Sequence, residues 1–413
     1  MKHYTINSQR LKRDFEQLSE IGSSGDGGVH RPAFSENHLL ARRWLQERII
    51  EDGLEFFMDG AGNHSARLST KNPGAPTLLM GSHMDSVPFG GRYDGALGVL
   101  AALEVLRSVC DARLELPCNL EAIDFTDEEG THVGLLGSQA LTGRLTPAQL
   151  LNPSSGHSAL EAGLQRAGLN EAGIFSARRD PASLLAYLEL HIEQGPQLVR
   201  ACTQIGIVTT IVGMRSFTIT YTGQADHAGT TPLDARKDAG LGTADFMVKA
   251  HARVRHDFPG CVLNFGQVHF HPGAFNIVPA IAEFKLEFRS ADLGILNRME
   301  QALLDLMAKT AEEHGLGVRV QPHGRLDPTA CSPQVQKAIT ETCELLELKS
   351  IPISSGAAHD AMMMARVCPA AMIFIPSSSG SHRPSEYASW EDCVNGANVL
   401  LNSAITLINQ ANL

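Results

Sequence analysis

The 413-residue sequence lacks any apolar run long enough to form a membrane helix. A bilayer core demands about 20 consecutive apolar residues, and neither the N-terminal segment nor any later segment approaches that length. Basic residues are also scarce, because 34 Lys and Arg stand against 45 Asp and Glu, for a net charge of −11. Such a charge disfavours nucleic acid or an anionic membrane as a partner. We therefore expect a soluble, cytoplasmic protein that acts on a small molecule.

Paired cysteines are absent as well. The eight cysteines are scattered along the chain and form no C-x-x-C pair. This spacing argues against a thiolate metal site and against a disulfide framework. If the chain binds a metal ion, histidine and carboxylate side chains must supply the ligands. The length is sufficient for two or three domains of about 150 residues each.

Two kinds of pattern divide the chain. In its first and last parts, short apolar strands alternate with helices, which is the βαβ rhythm of a sheet covered on both faces. In the middle, the strands alternate polar and apolar residues, which predicts one wet face, and the elements follow in the order βαββαβ. We predict a mixed-sheet α/β catalytic domain, residues 1–212 and 328–413, interrupted by a ferredoxin-like α+β domain, residues 213–327.

The stretch GSHMDSVPFGGRYDGALG, residues 81–98, contains the first candidate ligands. His83 follows a short apolar strand, and α/β sheets bind ligands at such strand ends. Asp85 lies on the same side of an extended chain, so we expect its carboxylate to hydrogen-bond the far imidazole nitrogen of His83. Asp94 precedes a glycine and an apolar helix, and its two oxygens could bridge two cations about 3.5–4 Å apart. The alternative is a hydrogen-bonded histidine and a helix N-cap.

Three later strand ends carry further candidates. Glu128 and Glu129 follow an apolar strand, where a glycine turn lets one carboxylate bind a metal ion and the other take a proton from water. His191 and His382 each lie where an apolar strand gives way to a glycine-containing loop. Each feature alone is more often an acidic surface turn or a structural histidine. Together with the first stretch, they give five N and O donors that suit two ions of Zn, Mn, Co or Ni sharing Asp94.

Across nearly its whole length the sequence resembles the di-zinc exopeptidase family, in particular its amidase/hydantoinase/carbamoylase branch. This branch holds N-carbamoyl-L-amino acid hydrolases, β-ureidopropionases of bacterial type and allantoate amidohydrolases. The motifs that carry the resemblance are GSHMDSVPFGGRYDGALG (81–98), TDEEG (126–130), ELHIEQGP (189–196), VGMRS (212–216), DHAGTTP with Arg236 (226–236), NIVP (276–279), SGAAHDA (355–361) and SH-x-P-x-E (381–386).

The resemblance implies a di-zinc exopeptidase-like fold with two divalent metal ions per subunit, and it makes Glu128 the general base. The ligands that it implies are His83, Asp94 and His191 for one ion, and Asp94, Glu129 and His382 for the other. It also implies that the inserted domain is a lid and the interface of a homodimer, with His227 stabilising the oxyanion in the partner subunit's site. The residues that it assigns to the substrate's carboxylate and amide are Gln194, Arg215, Asn276, Arg289 and the backbone around Gly356.

These features favour a metal-dependent amidohydrolase that cleaves the carbamoyl C–N bond of an N-carbamoyl-L-amino acid, giving the amino acid, ammonia and carbon dioxide. Allantoate or another ureido acid is the alternative substrate. A binding protein without activity is the alternative of a different class, but such a protein would normally have lost a ligand or the base. The departures from the family pattern are Thr131-His132-Val133 after the two glutamates, Ala280 and Ala358 in place of glycines, Glu287 in place of an aspartate, and a loop before His382 that is one residue short.

Overall fold

The computed structural model describes residues 3–72 and 74–411, which form two compact units. The first unit contains Met1–Thr209, Ala330–Ser355 and His359–Leu413, and the second contains Thr210–Thr329 with Gly356–Ala358. The second unit is thus slightly longer at both ends than the expected insertion, and it takes a short additional piece from the last third of the chain.

The strands are, in chain order, β1 (Glu55–Met58), β2 (His64–Leu68), β3 (Thr77–His83), β4 (Asn119–Phe125), β5 (Leu184–Ile192), β6 (Ile205–Ile211), β7 (Gly213–Thr222), β8 (Val262–His271), β9 (Ile281–Ser290), β10 (Gly317–Leu326), β11 (Thr329–Ala330), β12 (Ser350–Ser355) and β13 (Ala370–Ile375). The helices are α1 (Ser8–Glu20), α2 (Glu36–Glu51), α3 (Ala96–Asp111), α4 (Leu136–Leu141), α5 (Pro147–Leu151), α6 (His157–Arg166), α7 (Glu171–Ile174), α8 (Gln197–Ala201), α9 (Ala239–Asp257), α10 (Leu293–Glu313), α11 (Pro333–Leu345), α12 (Asp360–Met364) and α13 (Trp390–Gln410).

The first unit is built on a nine-stranded mixed sheet in the order β1-β2-β4-β3-β5-β13-β6-β11, with β12 paired to β6. The four strands β4, β3, β5 and β13 run parallel to one another. Neighbouring residues at their carboxyl ends include the pairs His83 with Phe125 and Phe374 with His191. Because parallel strands end at the same edge of a sheet, the four segments that carry the candidate ligands leave the sheet side by side.

Helix α3 is a buried helix that begins shortly after Asp94. Its residues from Ala96 to Val109 are buried, and it packs against β3, β4 and α13. Its sequence is apolar almost all round, as expected for a helix covered on every side. The one acidic side chain in its buried part, Glu104, pairs with Arg10 of α1. The helix therefore gives the segment before it, which ends in Asp94, a rigid support.

The second unit follows the predicted order β7-α9-β8-β9-α10-β10. Its four strands form an antiparallel sheet in the order β10-β7-β9-β8. Strands β7 and β9 alternate buried with more exposed side chains, and the aromatic rings of Phe246 and Phe284 lie in the core between sheet and helices. This is the ferredoxin-like arrangement that the alternating strands predicted.

Two details of the fold differ from the sequence prediction. The sequence pattern predicts a helical stretch over Leu233–Val254, but α9 begins only at Ala239, because the Asp238 side chain accepts hydrogen bonds from Gly240 N and Leu241 N and caps the helix there. Strands β6, β11 and β12 were not predicted from the sequence. Among the described residues, no helix combines the length and apolarity needed to cross a bilayer.

Candidate metal centre

Three side chains from different chain segments meet at the carboxyl edge of the parallel strands. His83 ends β3, His191 lies near the end of β5, and Asp94 comes just before α3. The Oδ1 atom of Asp94 lies 3.7 Å from His83 Nε2 and 3.1 Å from His191 Nε2. All three residues are buried, and their potential ligand atoms lie within 4.8 Å of one another. This cluster has the residue types and spacing of a metal site.

The two imidazole rings are oriented through their other nitrogen. His83 Nδ1 lies 3.0 Å from the backbone oxygen of Asp85, and His191 Nδ1 lies 2.8 Å from that of Ile192. A carbonyl oxygen can only accept a hydrogen bond, so Nδ1 carries the proton in both rings. The unprotonated Nε2 of each ring therefore lies on the side near Asp94, as a metal ligand requires, and His191 Nε2 also accepts the Gly95 N–H at 3.2 Å.

The prediction for the Asp85 carboxylate was wrong in detail. Its Oδ1 atom lies 3.7 Å from His83 Nδ1, and the ring is held by the backbone carbonyl instead. The carboxylate accepts the backbone N–H groups of Glu128, at 3.3 Å, and Glu129, at 3.2 Å. Asp85 therefore connects the end of β3 to the turn after β4, because the carbonyl and the carboxylate hold different parts of the site.

A second cluster uses the other oxygen of Asp94. His382 Nε2 lies 3.6 Å from Asp94 Oδ2 and 3.4 Å from Glu129 Oε2. The potential ligand atoms of these three residues again lie within 4.8 Å of one another, and Asp94 belongs to both clusters. The five predicted ligands are thus brought together in two groups that share one carboxylate, which is the arrangement of a two-metal site.

Glu128 and Glu129 lie in a sharp turn after the end of β4. Asp127 has φ 55° and Gly130 has φ 75°, so the chain passes through the left-handed region on both sides of the pair. The carboxylate of Asp127 stabilises this turn by accepting hydrogen bonds from His132 N and Val133 N. Glu128 Oε2 consequently lies 3.6 Å from His83 Nε2, whereas Glu129 faces His382. The sequence predicted the contribution of Gly130 but not that of Asp127.

Burial and repulsion between neighbouring carboxylates disfavour the charged forms of Glu128 and Glu129. Burial, followed by repulsion from Glu129, raises the pKa of Glu128 well above its usual value. Burial, followed by repulsion from Asp94, does the same to the pKa of Glu129. Divalent cations between these side chains would offset the repulsion and favour the ionised carboxylates. The donor types, their spacing and this charge balance together fit bound metal ions.

Three neighbours of Asp94 explain why its carboxylate has a fixed position. Gly95 has φ 64°, and a Cβ atom there would lie 2.5 Å from the His83 ring, so only glycine fits beside the ligand. The Glu386 carboxylate accepts the backbone N–H of Asp94 at 3.1 Å, and the Ser381 hydroxyl donates to Asp94 Oδ2 at 2.6 Å. The sequence pattern indicated no role for Ser381 or Glu386, although both lie in the motif SH-x-P-x-E.

Gln194 is the predicted substrate residue that lies in the first unit. Its Nε2 donates to Asp94 Oδ2 at 2.8 Å and to the Ser381 hydroxyl at 3.2 Å. Its Oε1 is buried and has no hydrogen-bond partner among the described residues. A buried acceptor without a donor is costly. Gln194 is therefore positioned by the Asp94 carboxylate, and its Oε1 is left without a donor among the described residues.

Arg215 does not fit the predicted role in substrate binding. It is 1% exposed, and its guanidinium donates from Nε, Nη1 and Nη2 to acceptors within the second unit. These acceptors are Glu300 Oε2, Met214 O, Leu326 O, Asn297 Oδ1 and Asp327 Oδ1, at 2.8–3.2 Å. Arginine has five N–H groups, so none remains for a substrate. We therefore interpret Arg215 as a structural residue that joins the start of β7 to the end of β10.

Arg289 and Gly356, both in the second unit, are in contact. Arg289 Nη1 donates to the Gly356 carbonyl at 2.8 Å, and Nε donates to Glu287 Oε1 at 2.8 Å. The pairing with Glu287 gives Arg289 a structural role that does not depend on a ligand. The side chain is still 30% exposed, so a ligand can reach the guanidinium.

His227 and Asn276 lie on adjacent segments of the second unit. The backbone of His227 pairs with that of Ile277, and Ala228 N donates to Asn276 O at 3.0 Å. The exposed His227 ring accepts the Gly229 N–H at Nδ1, at 3.1 Å. In the neutral imidazole the proton then resides on Nε2, which is free to donate.

Comparison with known proteins places the chain in one family. The sequence profile of Peptidase family M20/M25/M40 matches residues 79–406. An N-carbamoyl-L-amino acid amidohydrolase of Geobacillus stearothermophilus is 36% identical over 404 residues, which cover 96% of this chain and 98% of that protein. An allantoate amidohydrolase of Bacillus subtilis strain 168 is 32% identical over 380 residues, covering 91% of each chain.

Solved structures agree with the sequence relatives. An amidase of the hydantoinase/carbamoylase family from Burkholderia multivorans superposes with a TM-score of 0.88 at 33% identity, and the match covers 98% of both chains. The chain therefore belongs to the peptidase family M20/M25/M40, in its amidase/hydantoinase/carbamoylase branch, and it is a hydrolase, as the sequence predicted.

Proposed function

We propose that the chain is a dinuclear metal amidohydrolase that cleaves the carbamoyl C–N bond of an N-carbamoyl-L-amino acid, releasing the amino acid, ammonia and carbon dioxide. The observation that carries the proposal is the pair of His and carboxylate clusters that share Asp94, with Glu128 beside them. The names of the relatives supply the substrate class. Allantoate or another ureido acid is the second candidate, because a relative of similar identity is an allantoate amidohydrolase.

The proposed ligands are His83, Asp94 and His191 for one ion, and Asp94, Glu129 and His382 for the other. Zinc, manganese, cobalt and nickel all accept this donor set. Such ions polarise a carbonyl group and lower the pKa of water. Glu128 is a carboxylate beside the centre without a ligand role of its own, so it can accept the proton of the attacking water and return it to the leaving nitrogen.

For substrate recognition we propose Gln194, Asn276, Arg289 and the backbone around Gly356. Gln194 Oε1 would accept an N–H of the ureido group, since it is a buried acceptor without a partner in the described residues. Asn276 and the backbone around Gly356 would contact the remaining amide and carboxylate atoms. Arg289 would bind the carboxylate, because a protein of net charge −11 needs a local cation to attract an anionic substrate.

We propose further that the protein acts as a cytoplasmic homodimer joined through the second unit. His227 of one subunit would donate from Nε2 to the oxyanion formed in the partner's site, as its tautomer permits. The eight cysteines are all free thiols, which supports a reducing compartment.

Removal of metal ions is the first test. Chelation should abolish ammonia release from N-carbamoyl-L-amino acids, and addition of Zn, Mn, Co or Ni should restore it, because the proposed chemistry depends on both ions. Elemental analysis of the active protein should give two ions per subunit. Full turnover by a verified metal-free preparation would exclude the proposal. A parallel panel that includes allantoate would identify the preferred ureido acid.

Substituting the two adjacent glutamates one at a time should distinguish the general base from the metal ligand. Glu128→Gln should retain both ions but lose about 10²–10⁴ in kcat, because it removes the proton acceptor. Glu129→Gln should weaken the binding of one ion, since it removes a ligand. Metal content and kcat are measured on both variants under the same conditions. Identical metal content in the two variants would contradict this division of roles.

The dimer proposal predicts complementation between two inactive variants. His227→Ala should lower kcat without changing metal content, and so should Glu128→Gln. After subunit exchange, a mixed dimer has one site with both an intact Glu128 and an intact His227, so part of the activity should return. Each variant mixed with itself is the control. Absence of any recovery, with exchange verified, would mean that a single chain completes its own site.

The Arg289 proposal predicts a loss of specificity for the free acid. Removing one partner of a desolvated charge pair costs about 2–5 kcal/mol, so Arg289→Ala should lower kcat/KM for an N-carbamoyl-L-amino acid by about 10²–10³ or more. The corresponding carbamoyl amino-acid amide should be a poor substrate for both proteins. Arg325→Ala, an exposed arginine of the same unit that pairs with Glu300, is the matched control. Equal hydrolysis of acid and amide by the wild type would refute carboxylate recognition.

A further inference from the structure

Arg31 is a fully buried arginine with an unusual set of partners. It is 1% exposed, and its nitrogens donate to three backbone carbonyls, those of Met84 at 3.2 Å, Leu18 at 2.7 Å and Ile21 at 3.3 Å. No carboxylate among the described residues pairs with it. Burial lowers the pKa of Arg31 to about 10, and Asp124 and Asp85 stabilise its charge only from a distance. A buried cation without a carboxylate partner is costly, which calls for a reason beyond packing.

The Met84 carbonyl belongs to the peptide that joins Met84 to Asp85. The preceding peptide is fixed as well, because Met84 N donates to Asp124 Oδ1 at 2.8 Å. Arg31 and Asp124, two buried groups of opposite charge, thus hold successive peptides of the chain that leaves β3. The Arg31 backbone adds to this support, since its N–H donates to the Ser86 hydroxyl and its carbonyl accepts the Ser86 N–H, both at 3.0 Å.

The orientation of Asp85 determines both halves of the candidate centre. Its carbonyl oxygen holds His83 Nδ1, and its carboxylate holds the backbone of Glu128 and Glu129. A rotation of the peptide between Met84 and Asp85 would therefore disturb a proposed ligand and the proposed base together. Arg31 is the side chain that bonds to the oxygen of this peptide.

We propose that Arg31 is a positioning residue of the metal centre, which fixes the peptide after Met84 so that His83 presents Nε2 and Asp85 holds the turn of Glu128. This proposal rests on the assignment of the five ligands under the proposed function. Arg31 contacts neither the proposed ligands nor the base directly. Its effect should therefore appear in metal affinity and kcat, with little change in KM.

The chain offers a matched control in Arg107. This arginine is also buried, and like Arg31 it anchors α1, in its case by pairing with Asp14. Its other partners are Asp52 and Glu104, and none of the three carboxylates belongs to the candidate centre. Loss of either arginine should lower the melting temperature, but only the loss of Arg31 should change the positions of the metal ligands and so the zinc affinity.

The test compares Arg31→Met, Arg31→Lys and Arg107→Met as metal-free full-length proteins, titrated with zinc alone against a chromophoric chelator. Loss of a group that orients a metal ligand typically weakens binding or activity by about 10–100-fold. Arg31→Met should therefore weaken zinc binding by this factor and lower kcat at saturating zinc, whereas Arg107→Met should bind zinc like the wild type. The zinc affinity and kcat of Arg31→Lys should be intermediate, since one ammonium group cannot reach carbonyls on both sides as the guanidinium does.

Wild-type zinc affinity in a folded Arg31→Met protein, or an equal loss in Arg107→Met, would overturn the proposal. If Arg31→Met does not fold, Arg31→Lys decides the question, because unchanged zinc affinity in that variant contradicts the proposal and weakened affinity supports it. The titration needs no substrate. A protein that hydrolyses no ureido acid but loses zinc affinity on Arg31→Met would therefore refute the proposed function and leave the positioning role intact.

Discussion

The sharing of one carboxylate between two histidine clusters is the constraint on which the candidate site depends. Asp94 faces His83 and His191 with one oxygen and His382 with the other. Such sharing demands that segments far apart in sequence converge to within a few ångströms. Four neighbouring parallel strands achieve this convergence, because they end together at one edge of the sheet.

Convergence alone would leave buried carboxylates in mutual repulsion, so the surrounding chain has to hold them in place. It does so mainly through backbone groups. Asp85 accepts two N–H groups from the turn after β4, and Glu386 accepts the N–H of Asp94. Arg42 pairs with Asp124 at 2.8 Å, and Asp124 in turn holds Met84. These contacts fix the segments that carry the candidate ligands, which is the kind of support that a metal site requires.

The second unit is stabilised differently. Its alternating strands bury one face of the sheet against two helices and leave the other face exposed. Arginine residues illustrate how contacts distinguish roles that sequence alone could not. Arg215 uses its donors within the unit and is buried, whereas Arg289 stays partly exposed beside Glu287. Only the Arg289 guanidinium is available to a ligand. Arg215 lies within the motif VGMRS and Arg289 lies near the end of an alternating strand, so their positions in sequence gave no hint of this difference.

The sequence by itself determined that the five proposed ligands lie at or beyond the ends of four apolar strands, and it determined the βαββαβ order of the second unit, because apolar runs, glycine turns and period-two alternation are local signals. Tertiary structure decided what those signals do not encode. It directed the Asp85 carboxylate to the backbone of Glu128 instead of to His83, and it buried Arg31 against carbonyls of two distant segments. Such choices depend on which donors lie nearby in three dimensions, and local pattern contains no information about neighbours distant in sequence.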